Sequence, residues 1–171
     1  ALNDAQAVAL GAIVDWASST PALDDAPFRV LKGYAGSGKT FMLRQLPDRM
    51  KGRIVWTAPT NKATKCLREA LTADDYKPDC RTIYSLLGLR LEANGEVKEL
   101  SQPEDPVDLS TYRLVVVDEA FMLNKAVMAA IQSAHNTSGV RFLFVGDPCQ
   151  LPPVKEDKSP VEALPVIAEL T

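Results

Sequence analysis

The chain has 171 residues, 46% apolar and 24% charged, a composition that suits a globular domain with a buried core and excludes disordered or collagen-like chains. Its 19 Lys and Arg against 22 Asp and Glu give a formal charge of −3, so any nucleic-acid binding must rest on a local patch rather than on bulk charge. Widely spaced Cys66, Cys80 and Cys149 and a lone His135 exclude a disulfide framework and multi-histidine metal centres, and with no apolar run longer than residues 7–14 the expectation is a cytoplasmic protein without a membrane span or secretory leader.

Residues 5–18 place Val8, Ala12, Ile13 and Trp16 at helical spacing. After a polar loop, the apolar run 28–31 reads as a strand and ends in the glycines at 33, 36 and 38. A helix is expected to open at Lys39 and break near Pro47. Residues 53–58 (RIVWTA) have the β-branched and aromatic content of a buried strand, and 61–72 read as a helix capped by Thr60. Residues 82–87 suggest a short helix. Residues 89–100 alternate apolar and polar about Asn94-Gly95, a strong hairpin signal. A polar loop, 101–110, leads to apolar strands at 114–117 and 140–145 with a helix over 124–134 between them. Strands alternating with helices predict one α/β domain, a mainly parallel sheet with helices on both faces, and the hairpin as a small insertion over 89–100.

The segment Gly33-Tyr34-Ala35-Gly36-Ser37-Gly38-Lys39-Thr40 matches G-x-x-x-x-G-K-[ST] in full and falls between a predicted strand and a predicted helix. Glycines let backbone N–H groups converge on phosphate oxygens, and the helix N-terminus adds its positive dipole end. Lys39 is expected on the β- and γ-phosphates and the Thr40 hydroxyl on Mg²⁺, while Gly33, Gly36, Ser37, Gly38 and Phe41 complete the predicted nucleotide-binding set. The bland alternative is a glycine-rich turn with Lys39 in solvent.

Hydrolysis also needs a carboxylate near Mg²⁺ and a group that activates water. Val115-Val116-Val117-Asp118-Glu119 supplies both at the end of an apolar strand, where ligands of open α/β sheets bind. Asp118 is assigned to the Mg²⁺ shell and Glu119 to the general base. Alone, two adjacent acids could equally be a solvated strand end or a helix cap.

GYAGSGKT (33–40), TAPTNKAT (57–64), TIYSLLG (82–88), VVVDEA (115–120) and VGDPCQLPPV (145–154) occur in that order. Together they resemble the first RecA-like motor domain of superfamily 1 DNA helicases, and within these the RecD and Dda branch. The resemblance implies a P-loop NTPase that uses ATP and Mg²⁺ and steps 5′ to 3′ along single-stranded DNA. It puts Gln6, within Leu2-Asn3-Asp4-Ala5-Gln6, on the adenine, and makes Gln150 a catalytic sensor of the γ-phosphate. It lines the DNA track with Pro59, Thr60, Asn61, Lys62, Thr82, Tyr84 and Ser85, and gives the hairpin the role of a strand-separating pin. Tyr84 departs from the histidine usual at that position. Relatives continue into a second motor domain that supplies arginines, and 168–171 look like the start of a motif cut short, so the chain is expected to be part of a longer protein that hydrolyses slowly by itself. Nuclease or recombination subunits are further candidate partners.

Competing readings have different consequences. A nucleotide kinase or GTPase would share the loop, but the adjacent acids suit attack by water better. An ATP-gated binding module within a nuclease–helicase assembly would tolerate loss of Glu119. Lys62, Lys65 and Arg68 share a helix face that is either solvated or on phosphates.

Overall fold

A computed structural model describes residues 1–19, 26–100, 107–149, 153 and 158–171. Helix α1 (Asp4–Ser18) leads to strand β1 (Phe28–Gly33), which feeds α2 (Lys39–Leu43) and α3 (Leu46–Arg49). Then follow β2 (Arg53–Ala58), α4 (Asn61–Leu71), β3 (Asp79–Thr82), α5 (Ile83–Leu87), and the hairpin β4 (Leu89–Leu91) and β5 (Val97–Glu99). The chain closes with β6 (Tyr112–Val117), α6 (Lys125–Ser138), β7 (Arg141–Gly146) and β8 (Val166–Leu170).

Six strands form one sheet in the order β3-β2-β6-β7-β1-β8, every neighbouring pair parallel. Period-two alternation divides its side chains between two cores. Leu31, Trp56, Leu114, Val116, Leu143 and Val145 pack with α1 to α4, whereas Val30, Val55, Val115, Val117, Phe142 and Phe144 pack with Ile83 and Leu86 of α5 and Val127 and Ile131 of α6. Both faces are covered, which is why β6 from Leu114 to Val117 and β7 from Phe142 to Val145 are apolar at every position. Each fully buried large side chain contributes about 1.5–3 kcal/mol of transfer free energy. Trp56 is one of them, and its indole N–H donates to the Tyr76 hydroxyl at 2.9 Å, so its polar end is satisfied.

The expected helices and central strands are present. The break after the phosphate loop falls at Arg44 and Gln45, and Pro47 sits in the first turn of α3, where its missing N–H costs no hydrogen bond. Two strands carry no clear sequence signal, β3 (DCRT) and β8 (VIAEL). Both are edges of the sheet, where polar residues are tolerated because one side faces no partner strand. The hairpin lies where expected. Its turn spans Glu92 to Gly95, with the Gly95 N–H donating to the Glu92 carbonyl at 3.0 Å and only Gly95 left-handed, rather than a two-residue Asn-Gly turn. Among the described residues no helix is long and apolar enough to cross a membrane.

Helix α1 is fixed at both ends. Its N-terminus closes in a capping box between Asn3 and Gln6. Its last turn holds no basic residue, and Arg113 and Arg141, from the amino ends of β6 and β7, donate to the Ala17 carbonyl, with Arg113 also reaching that of Ser18. They satisfy carbonyls the helix leaves open and complement its negative end.

Candidate active site

Strand β1 delivers its chain at the carboxyl edge of the sheet into the loop 33–40, and α2 opens at Lys39. Gly33 and Gly38 are there for close approach. A Cβ on Gly33 would lie 2.5 Å from Lys39 Cγ and 2.6 Å from Ser37 Oγ. Gly38, at φ +80°, would place one 2.3 Å from Gln6 Nε2. Gly36 is exposed at the loop, and Phe41 is an exposed aromatic on the first turn of α2.

The Lys39 ammonium donates to the Gly33 carbonyl at 2.6 Å and lies 3.4 Å from that of Tyr34, so the lysine curls over its own loop. The buried Ser37 Oγ has no partner among the described residues. From outside, Gln6 Nε2 donates to the Ser37 carbonyl at 3.2 Å, while Gln6 Oε1 accepts the Asn3 N–H. Gln6 thus ties α1 to the phosphate loop. Asp147 ties it from the other side, accepting the Ala35 N–H at 3.1 Å and, through its second oxygen, that of Cys149 at 2.8 Å. Sequence reasoning passed over Asp147, although it stands within the quoted VGDPCQLPPV. Gln150 lies outside the described residues.

On β6 the ladder with β2 runs one step past Val117, since the Asp118 N–H donates to the Thr57 carbonyl at 2.8 Å. The chain then turns through Glu119, which at φ +55° is the one non-glycine left-handed residue among those described. Such a conformation costs about 1–3 kcal/mol and persists where packing imposes it. Here the imposing residues are Ala120, Phe121 and Leu123, all buried directly after it. A single cleft of about 470 Å³ is lined by Thr40, Asp118 and Glu119, with Thr60, Lys62, Ala63, Cys66, Leu67, Ala70 and Met122. Burial pushes the Asp118 carboxyl up to about 6, with the neighbouring Glu119 charge adding to the rise and the Glu119 N–H and the Lys39 charge opposing it.

The expected magnesium ligands, Thr40 and Asp118, are therefore in one cleft. Among the described residues no cluster of three His, Cys, Asp or Glu side chains could cage a metal. The Thr40 hydroxyl and the Asp118 carboxylate suit Mg²⁺, which takes one or two protein oxygens and fills its shell with water and phosphate. The glycines that exclude a Cβ, the orphaned Ser37 hydroxyl and the Lys39 ammonium over the loop fit a triphosphate there.

The residues expected on DNA split into two neighbouring turns. Ala58 and Thr82 are in register at the carboxyl ends of β2 and β3. Thr60 caps α4 by accepting the Ala63 N–H, and Thr82 caps α5 by accepting that of Ser85. Asn61, Lys62 and Ser85 are exposed, whereas Pro59 is buried. Tyr84 packs partly into the second core, and this burial raises its phenol pKa, so only part of its ring is open for stacking. A larger cleft of about 690 Å³ opens at the amino ends of β2 and β3. It is lined by Phe41, Arg44, Asp48, Arg53 and Asp79, so Phe41 faces this cleft, and neither Asp118 nor Glu119 lines it.

A phosphate loop after β1, paired acids after β6 and an all-parallel sheet wrapped on both faces define a RecA-like P-loop NTPase domain. The AAA domain family (AAA_30) matches residues 2–165, and the chain belongs to that family. It is 29% identical over 146 residues to uncharacterized protein R530 of Acanthamoeba polyphaga mimivirus, covering 75% of this chain and 30% of that protein. It is 30% identical over 128 residues to the ATP-dependent RecD2 DNA helicase of Deinococcus radiodurans, covering 73% of this chain and 16% of the helicase. The chain thus spans less than a third of either relative. Among solved structures, Pif1 from Bacteroides sp in complex with ADP-AlF4 shares the fold at TM-score 0.63 and 23% identity, over 91% of this chain and 34% of that one. Bacteroides Pif1 bound to ssDNA gives a TM-score of 0.55 and 25% identity, over 75% and 30% respectively. The fold is that of the matched part of the Pif1 structures.

Proposed function

We propose that this chain is the first motor domain of a DNA helicase of the Pif1 and RecD2 kind, hydrolysing ATP with Mg²⁺ and stepping 5′ to 3′ on single-stranded DNA. The observation that carries the reading is the single cleft that joins Thr40, Asp118 and Glu119 to Thr60 and Lys62, an ATPase floor beside a turn suited to a nucleic-acid backbone. The reading is supported by the solved Pif1 structures with ADP-AlF4 and with ssDNA, and by the RecD2 relative.

In this mechanism the loop amides and Lys39 bind the triphosphate, with the Lys39 ammonium exchanging its loop carbonyls for phosphate oxygens. Thr40 and Asp118 would hold Mg²⁺, which when bound neutralises charge on the β- and γ-phosphates. Glu119 accepts the proton of the attacking water as the bond to the γ-phosphorus forms and that to the leaving ADP oxygen breaks. Gln6 contacts the adenine, Phe41 flanks the nucleotide and Gln150 senses the γ-phosphate. Pro59, Thr60, Asn61, Lys62, Thr82, Tyr84 and Ser85 form the DNA track. A second motor domain supplies the arginine of the transition state, whose lack costs about 10³–10⁵ in rate in other NTPases.

The test is Glu119→Gln. ATP binding and single-strand binding, read by fluorescence anisotropy, should persist while phosphate release falls about 10²–10⁴-fold. Phosphate release at the wild-type rate would overturn the assignment of the base. Equal affinity for GTP and ATP would overturn the adenine reading.

A further inference from the structure

The β4–β5 hairpin is joined to the rest of the molecule at its tip. Asn124 Nδ2 donates to the Gly95 carbonyl at 3.0 Å. The same side chain is the N-cap of α6, its Oδ1 accepting the Val127 N–H at 3.0 Å. Only one orientation of the amide satisfies both partners, because a carbonyl needs a donor and an N–H an acceptor. Capping alone does not call for asparagine, since Asp or Ser caps about as well. The second half of the amide is what the hairpin uses.

The chain from Glu119 to Asn124 is stiff. Ala120, Phe121 and Leu123 are buried, and the Leu123 carbonyl accepts the Ser159 hydroxyl at 2.7 Å. Phe121 lies so close under Gly146, at the end of β7, that a Cβ there would fall 2.6 Å from its ring. A displacement at Asp118 or Glu119 therefore reaches Asn124 with little slack. The hairpin is also held at its base by buried Leu89 and, beside the turn, by half-buried Val97, which pairs with Leu91.

We propose that Asn124 is a positioning residue that couples the hairpin to the catalytic acids, so that the nucleotide state of the cleft is felt at the hairpin tip. The coupling rests on the ATP-site reading above; the tether does not. Capping of α6 and anchoring of the hairpin are separable, because Asn124→Asp and Asn124→Ser each keep an acceptor for Val127 and lose the donor to Gly95.

Hydrogen exchange on the whole chain, with and without magnesium and a non-hydrolysable ATP mimic, tests both halves. Without nucleotide, both variants should exchange hairpin amides such as Gly95 about tenfold faster than wild type, with α6 unchanged. Unchanged hairpin exchange in both would overturn the tether. Loss of α6 protection in both would also overturn it, by showing that the cap and the tether are not separable. With nucleotide, wild type should slow at the loop 33–40 and at the hairpin, and the variants at the loop alone. Loop protection without any hairpin response in wild type, or an equal hairpin response in the variants, would overturn the coupling. An unprotected loop would overturn the ATP site itself and the coupling with it, leaving the tether to the nucleotide-free comparison.

Discussion

Asp118 and Asp79 show how one residue type takes opposite shifts in one fold. Burial dominates at Asp118, and its pKa of about 6 stands above the ordinary 3.8. The unliganded fold is therefore stabilised by a neutral Asp118 at low pH and loses that contribution as pH rises from about 3.8 to about 6. Magnesium needs the ionised form, so its apparent affinity in the presence of ATP should weaken as pH falls through about 6. A magnesium titration at pH 5 and pH 7.5 should show a larger pH dependence in wild type than in Asp118→Asn, which keeps only that of the nucleotide's own phosphate; an equal pH dependence in the two would contradict it. The thiols are a second case. Cys80 is buried and burial pushes it up to about 11, partly offset by Arg68, whereas Cys66 and Cys149 are exposed. Iodoacetamide at neutral pH should modify Cys66 and Cys149 and spare Cys80, and nucleotide should slow the reaction at Cys66, which lines the acid cleft. Mass spectrometry of peptides reads both outcomes.

Among elements, three parallel strands are joined at their amino ends by Asp79. Burial by itself would raise its pKa, but hydrogen bonds from the Tyr112 hydroxyl and Arg81, with the charges of Arg81 and Arg53, outweigh it and hold the carboxyl below 3.8. The Arg53 guanidinium also lies over the Tyr112 ring, 4.7 Å from its centroid. A depressed acid contributes stability above its unfolded pKa and loses it as pH falls through the folded one. Asp79→Asn should cost about 1 kcal/mol at pH 7, a charged network discounted for partial exposure, and the cost should vanish in strong acid. Urea midpoints of both proteins at pH 7 and below pH 3 test this. Little of the network was legible in sequence, because β3 is short and polar and the partners of Asp79 come from β2, β3 and β6. The hairpin shows the converse. Asn94-Gly95 marked its place, yet the turn type followed from Glu92 and Glu96, which pair backbone N–H to carbonyl at 2.7 Å across it.

For the molecule as a whole, the loop and the acids belong to one rigid sheet, so a ligand that bridges them should stabilise all of it. Nucleotide with magnesium at about 100 times its Kd adds about 2.7 kcal/mol, which for a domain of this size raises Tm by about 5–10 °C. Lys39→Ala should leave the unliganded Tm nearly unchanged and abolish the shift; a retained shift would mean the nucleotide is held elsewhere.

The phosphate loop, the paired acids and the central strands could be read from sequence because their causes are local. A glycine at a close approach, a capping Thr60 and a doubly buried strand each leave their mark on neighbouring residues. The edge strands β3 and β8, the two arginines on the end of α1, the Asp147 bridge to Ala35 and the Asn124 tether to Gly95 left no such mark. Each joins groups far apart in the chain, and a hydrogen bond of that kind exists only once the sheet has set the order of its strands.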